Sequence, residues 1–203
     1  YDGSANPVLA INGQQIEVTI LAGETSATIT IATLTDTILE GNETVLVNLS
    51  TPTGQPTGAA EIAIGDGQAT GTIVDLSAIS VVISDAGVVN EGTNLVYNVT
   101  LSGTSTSDIT IPVSYSGKAT NGDDYTSVTS IVIKAGQTTG ILSLPTKTDT
   151  ILEGSETVIV TLDTPTGQPA GVAAITIADG QATGTITDTT ELTVSISDAA
   201  SPA

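Results

Sequence analysis

Three carboxylates stand in one short block of this 203-residue chain: Asp149, Glu153 and Glu156. Further acids sit where the sequence reads as loops or strand ends: Glu91 before Gly92, Asp123-Asp124 before Tyr125, and Asp188. Carboxylates on loops are hard oxygen donors. Calcium takes six to eight such oxygens, mostly carboxylate and carbonyl, from flexible loops. Acids that converge at one end of a domain repel one another unless a cation neutralises them. The same residues also read as a solvated tip whose carboxylates are hydrogen-bonded locally. Glu43 and Glu156 suit that second role, capping backbone N–H groups of the loop.

Other chemistry finds few residues. The chain has no His, Cys, Met, Trp or Phe. Without His the commonest general base is missing. Without Cys there is no thiolate nucleophile, disulfide or Cys/His zinc site. Paired carboxylates could serve a glycosidase, but that needs sugar-stacking aromatics, and Tyr1, Tyr97, Tyr115 and Tyr125 are the only aromatics. Asp66-Gly67 and Asp179-Gly180 resemble fragments of a calcium loop and read as tight hairpin turns. Thr28, Thr30, Thr70 and Thr72 alternate as on a flat ice-binding face, yet strand propensity explains them. No enzymatic activity is expected.

The formal charge is −19, with 22 acids against three lysines, Lys118, Lys134 and Lys147. A basic nucleic-acid footprint is absent, and an anionic membrane surface would repel the chain. Cations are what it attracts. Only 12% of residues are charged and 39% are hydrophobic, which is not the composition of a disordered acidic tail. No apolar run approaches membrane-spanning length. The composition fits a folded extracellular bacterial protein, and the absence of Cys fits the cytosol as well.

The elements that must position the acids are strands. Apolar and polar residues alternate with period two in Ile16–Ile20, Thr28–Ile31 and Thr44–Leu49, and again in Leu95–Val99, Ile109–Val113, Ile131–Ile133 and Val158–Leu162. Turn signals separate them: Asn12-Gly13, Ala22-Gly23, Asp66-Gly67, Ala135-Gly136 and Asp179-Gly180.

The chain also repeats itself. Asp36–Asp75 returns 113 residues later as Asp149–Asp188, with 30 of 40 positions identical. So long a period means tandem copies of a domain. The differences carry structural information. Positions 46, 48 and 50 change while Val45, Val47 and Leu49 do not; positions 61, 63 and 65 change while Ala60, Ile62 and Ile64 do not. Change at one parity implies a solvated face opposite a packed one, as in an antiparallel sandwich. Residues 1–75 read as a partial first repeat, 76–188 as a complete one and 189–203 as the start of a third. The first lacks counterparts of Ser80–Val113, so strand exchange with another copy of the chain, through 191–198, is one way to complete it.

These residues carry a family resemblance. Glu91-Gly92, Gly117–Tyr125, Asp149–Glu156 and Ala182–Asp188, in that order, resemble a Calx-beta domain. The resemblance implies an all-β fold: tandem antiparallel immunoglobulin-like β-sandwiches. It implies Ca2+ at one tip, with Glu91, Asp124, Asp149, Glu153 and Asp188 as ligands, and Asp36, Glu40 and Asp75 in the first copy. Strong binders end in consecutive Asp, whereas Thr189-Thr190 follow Asp188, and Thr148 stands where they have a second Asp. The first copy has no acid matching Asp124. The resemblance therefore implies fewer ions and weaker binding here.

The chain is also similar to extender regions of large secreted bacterial (RTX-type) adhesins. That implies a secreted or cell-surface spacer, or a filament-building module of the kind found in adhesion and biofilms, partnered by neighbouring repeats of the same chain. A Ca2+-responsive regulatory module and a direct glycan- or protein-binding adhesive module are the alternatives. Neither nucleic acid nor membrane insertion is expected.

Overall fold

The computed structural model describes residues 8–11 and 14–198. The expected Asn12-Gly13 turn, Tyr1 and the last five residues lie outside the described residues. Among the described residues there is no helix, and hence none long and apolar enough to cross a membrane. Among the described residues fifteen strands follow one another: β1 (Val8–Ile11), β2 (Gln14–Glu17), β3 (Ile38–Leu39), β4 (Glu43–Leu49), β5 (Gln68–Ile73), β6 (Ser80–Ser84), β7 (Gly87–Asn90) and β8 (Leu95–Leu101). Then come β9 (Thr104–Ser105), β10 (Ile109–Gly117), β11 (Ser130–Ile133), β12 (Thr139–Leu144), β13 (Glu156–Leu162), β14 (Thr176–Asp179) and β15 (Gln181–Thr187).

The chain divides into two compact units. The first holds Tyr1–Asp36, Glu40–Ser77 and Ala170–Val172; the second holds Thr37–Leu39, Ala78–Pro169 and Ala173–Ala203. The first unit is one antiparallel sheet in the order β2-β1-β4-β5. Asp66-Gly67 leads into β5, with the Asp66 carboxylate accepting from Gln68 N–H at 3.1 Å. It is not the expected tight hairpin, because the antiparallel partner β4 already ends at Leu49. Nor is Asp179-Gly180, which joins β14 to β15 in different sheets.

The second unit is a sandwich of two sheets, β11-β10-β13-β15-β7 and β12-β8-β6-β14. Its strands alternate as the sequence predicts. In β8, Leu95, Tyr97, Val99 and Leu101 are buried while Val96, Asn98 and Thr100 face out. In β13 the unchanged parity points inward: Val158, Val160 and Leu162 are buried. Each such side chain contributes about 1.5–3 kcal/mol on burial, so branched aliphatics build a core without Phe, Trp or Met. One polar tie crosses it: the Tyr97 hydroxyl donates to the Val158 carbonyl at 2.9 Å. Consecutive strands β6 and β7 lie in opposite sheets, and β7 runs parallel to β15.

Two expected strands of the first unit are missing. Thr28–Ile31 forms no ladder, and neither does the segment around Ile62 and Ile64. In the second unit the matching segments pair with β8 and β6 respectively. The described residues of the first unit contain no counterpart of either strand. A pleated sequence without a hydrogen-bonding neighbour stays irregular, and Ile31, Ile62 and Ile64 are each at least 40% exposed.

The second unit also takes in β3. It pairs in parallel with β9, Ile38 against Thr104 and Leu39 against Ser105, and Leu39 is fully buried.

Candidate metal centre

Topology gathers the acids of the second unit at one end of its sandwich. The parallel ladder of β7 and β15 ends at Asn90 opposite Thr187, so the next residues, Glu91 and Asp188, emerge side by side. Strand β13 starts at that end, Glu156 opposite Ile186. The loop before it therefore brings Asp149 and Glu153. Strand β10 finishes there too, Gly117 opposite Val158, and delivers the loop bearing Asp124.

Local bonds fix these loops. The Asp124 carboxylate accepts from Thr120 N–H at 2.5 Å, and the Asp124 carbonyl accepts from Lys147 N–H at 2.8 Å. Beside it Tyr125 is buried, tilted against Tyr115 with ring centroids 5.8 Å apart, which anchors the loop in the core. Asp149 accepts from Ile151 N–H at 2.6 Å. Asp188 works hardest: it accepts from Glu153 N–H at 2.8 Å, Gly154 N–H at 3.2 Å and Thr190 N–H at 2.6 Å.

Among the described residues, Asp124, Glu153 and Glu156 form one group in which a carboxylate oxygen of each lies within 4.8 Å of the others. Oxygens sharing one calcium at 2.3–2.6 Å stand no more than about 5 Å apart, so this group fits such an ion, and its donors are hard oxygens throughout. Of the residues implied by resemblance, the structure brings Asp124 and Glu153 into the group. Glu91, Asp149 and Asp188 stay outside it but within electrostatic reach. Glu156 joins it, although its sequence position reads as a backbone cap. Its side chain is only 14% exposed and meets the Lys118 ammonium at 3.3 Å. The signal that could have found it is its place as the first residue of a strand that opens toward the other acids.

The electrostatics separate two kinds of carboxylate. Desolvation raises the Glu91 carboxyl, and Asp188, Asp149 and Asp124 raise it further. Glu153 is raised by desolvation and then by Asp124, Asp149, Glu156 and Glu91. These two resist ionising together and gain from a cation. Asp188 goes the other way: N–H donors from Thr190, Gly154 and Glu153 hold it down at about 2. It is ionised at any ordinary pH and serves as the loop's staple.

The first unit repeats the staple. Asp75 accepts from Glu40 N–H at 2.8 Å, Gly41 N–H at 3.2 Å and Ser77 N–H at 2.7 Å. Burial pushes its carboxyl up, but these donors outweigh it and hold the group at about 2. Glu40 is raised by desolvation, then by Asp36, Glu43 and Asp75. A cavity of about 490 Å³ in this unit is lined by Asp36, Glu40, Glu43 and Asp75 together with Val45 and Ile73. Asp36, Glu40 and Asp75 do not form a group as close as that of the second unit among the described residues.

No curated protein matches the chain. Among solved structures, the apo-form Calx CBD1 domain is 18% identical, covering 54% of this chain and 96% of that one, with a TM-score of 0.43. The Calx CBD2 domain is 11% identical, covering 56% and 88%, with a TM-score of 0.46. The calcium binding domain CBD12 of CALX1.1 is 13% identical, covering 91% and 86%, with a TM-score of 0.36. The Calx-beta domain profile matches residues 1–77 and 75–190, nearly the whole length. The chain belongs to the Calx-beta domain family.

Proposed function

We propose that this chain is part of a spacer, or extender, of a large extracellular bacterial surface protein, in which Ca2+ at the domain tips stiffens the joints between successive repeats. In this reading residues 1–75, 76–188 and 189–203 are consecutive repeats, partial, complete and beginning. The protein would hold a distal binding domain away from the cell or build the fibre itself, and it would catalyse nothing. Neighbouring repeats are its partners, with strand exchange between chains a further route to assembly.

The observation that supports this most is the duplicated staple. Asp75 and Asp188 clamp the same Glu-Gly step with the same two oxygen contacts, 113 residues apart. Each stands at the last residue of its repeated block, where one repeat gives way to the next. A device copied with its geometry at each junction suits a joint that must behave alike along an array. The ion would sit on Asp124, Glu153 and Glu156 with Glu91 in reach, and would supply charge neutralisation and loop ordering. Binding to the folded state alone also stabilises by mass action.

A Ca2+-responsive regulatory module is the second reading, supported by the raised Glu91 and Glu153, whose charge state an ion would change. Small-angle scattering of the chain with calcium and with chelator separates the two. The spacer requires a chain that is extended with calcium and at most more flexible without it. A large change between two well-defined bend angles supports the regulatory module instead. An unchanged melting temperature on adding calcium removes the ion from both.

A further inference from the structure

Ile151 and Leu152 stand in the same hexapeptide, Asp-Thr-Ile-Leu-Glu-Gly, as Ile38 and Leu39. The two pairs have opposite surroundings. Leu39 is 0% exposed, whereas Ile151 is 60% and Leu152 63% exposed. Identical local sequence cannot produce that difference; it comes from what lies against each pair.

For Leu39 the seat is built. Strand β3 lies on β9 in parallel register. The Leu39 carbonyl accepts two bonds from Thr106, from its N–H at 2.9 Å and its hydroxyl at 3.1 Å. Gly103 lets the backbones approach: a Cβ there would fall 2.3 Å from the Thr37 carbonyl oxygen and 2.7 Å from Ile79 Cγ2. An apolar side chain, a carbonyl with two donors and a glycine cleared for backbone contact make a specific socket. For Ile151 and Leu152, no ladder among the described residues includes either one.

We infer that Ile151–Leu152 is a docking plug for a second copy of this domain, received by that copy's counterpart of Gly103–Thr106. The occupant follows from the fold: among the described residues, the surface that receives this hexapeptide is the β9 socket, and the socket belongs to the domain itself. The socket in this chain is already filled by β3, so the plug requires a copy whose socket is free. The contact is apolar and backbone-mediated and uses no carboxylate. It goes beyond the calcium reading and does not rest on it.

The chain has no cysteine, so Leu152→Cys introduces a single thiol. Its reaction with a maleimide is measured in the 203-residue chain and in one lengthened by residues 86–188 joined after Asp198, which stands 113 residues beyond Asp85. Protection of a docked position follows its opening equilibrium, so labelling should slow at least about tenfold in the lengthened chain. Leu39→Cys should label slowly in both. Equal rates for the Leu152→Cys thiol in the two chains overturn the inference. Gly103→Val in the added copy should restore fast labelling. As that variant could unfold the copy, hydrogen exchange at the added copy's Thr106 amide is read as well. It should be slow with Leu152 and fast with Leu152→Asp, and exchange indifferent to Leu152→Asp also overturns the inference. Repeating both with chelator keeps the result separate from any failure of calcium binding.

Discussion

Gly184 and Gly71 occupy the same place in the two repeats, 113 residues apart, yet substitution by alanine should affect them oppositely. Gly184 is buried in β15. A Cβ there would lie 2.5 Å from the Tyr97 hydroxyl and 2.7 Å from Leu95 Cδ2, about an ångström inside ordinary contact distance. Neither neighbour can yield cheaply. Tyr97 and Leu95 are both fully buried, and moving the hydroxyl breaks its 2.9 Å bond to the Val158 carbonyl. Overpacking of this kind costs about 1–3 kcal/mol, and a buried carbonyl left unpaired costs about 1–3 kcal/mol by itself. Gly184→Ala should therefore destabilise the second unit by about 2–3 kcal/mol, the strained alternatives excluding one another rather than adding. At roughly 4–8 °C per kcal/mol for a domain of about 100 residues, its melting temperature should fall by about 8–24 °C. At Gly71 the nearest atom to a new Cβ is the Val45 carbonyl oxygen at 4.0 Å, because the described residues of the first unit have no counterpart of β8. Gly71→Ala should be neutral or slightly stabilising, since glycine weakens a strand. Near-ultraviolet circular dichroism at the tyrosine band follows the second unit, which holds Tyr97, Tyr115 and Tyr125. Equal shifts for the two variants, or a Gly184→Ala shift under about 2 °C, would refute the packing argument.

The acids make three further predictions. Without calcium, the raised Glu40, Glu91 and Glu153 carboxyls destabilise the ionised folded state, so stability should rise as pH falls from neutral toward their ordinary value of 4.5. Asp75 and Asp188, held at about 2, add stability that is present above their ordinary 3.8 and lost as pH falls through about 2. Melting curves in chelator should thus peak between 3.8 and 4.5, and a steady decline from neutral pH would contradict the assignment. Glu156→Gln should weaken calcium binding by at least about tenfold, because ligand charge count sets affinity; titration calorimetry should find Glu43→Gln, outside any such close group, much milder. Lys118→Gln removes the ammonium 3.3 Å from Glu156. As an exposed partner it contributes under about 1 kcal/mol, but losing it should lower the calcium-free melting temperature slightly and tighten calcium binding, and weaker binding would count against Lys118 as a stand-in for the ion.

Much of the second unit could be read in advance because its strands alternate cleanly. Val158, Val160 and Leu162 are inward, as the unchanged parity of the repeat requires, and Leu95–Val99 and Ile109–Val113 lie within β8 and β10. The same parity reaches its limit at Ile175, which is buried, and Ile177, which is 39% exposed: β14 is an edge strand whose register to β6 shifts after Ile177. Thr28–Ile31 had strand propensity and no strand, because propensity supplies no hydrogen-bonding partner. In the site, Asp124 and Glu153 were among the residues the family resemblance implied, and they lie together. Glu156 was not, because a glutamate that opens a strand has the same local chemistry whether it caps a loop or faces two other carboxylates. The register of β13 on β15 and the reach of Lys118 decide between them.

By itself the sequence determined the all-β class, the 113-residue repeat, the aliphatic core parity and a surplus of carboxylates that attracts cations. These are properties of composition and period, and they act at every copy alike. The tertiary structure decided which equivalent residues share a fate. Asp75 and Asp188 clamp the same step because the clamp is local to each repeat. Leu39 and Leu152 share a hexapeptide but not an environment, and Gly71 and Gly184 share a strand position but not a neighbour. Burial depends on what other segments lie against a residue, and that is fixed only when the sheets are assembled.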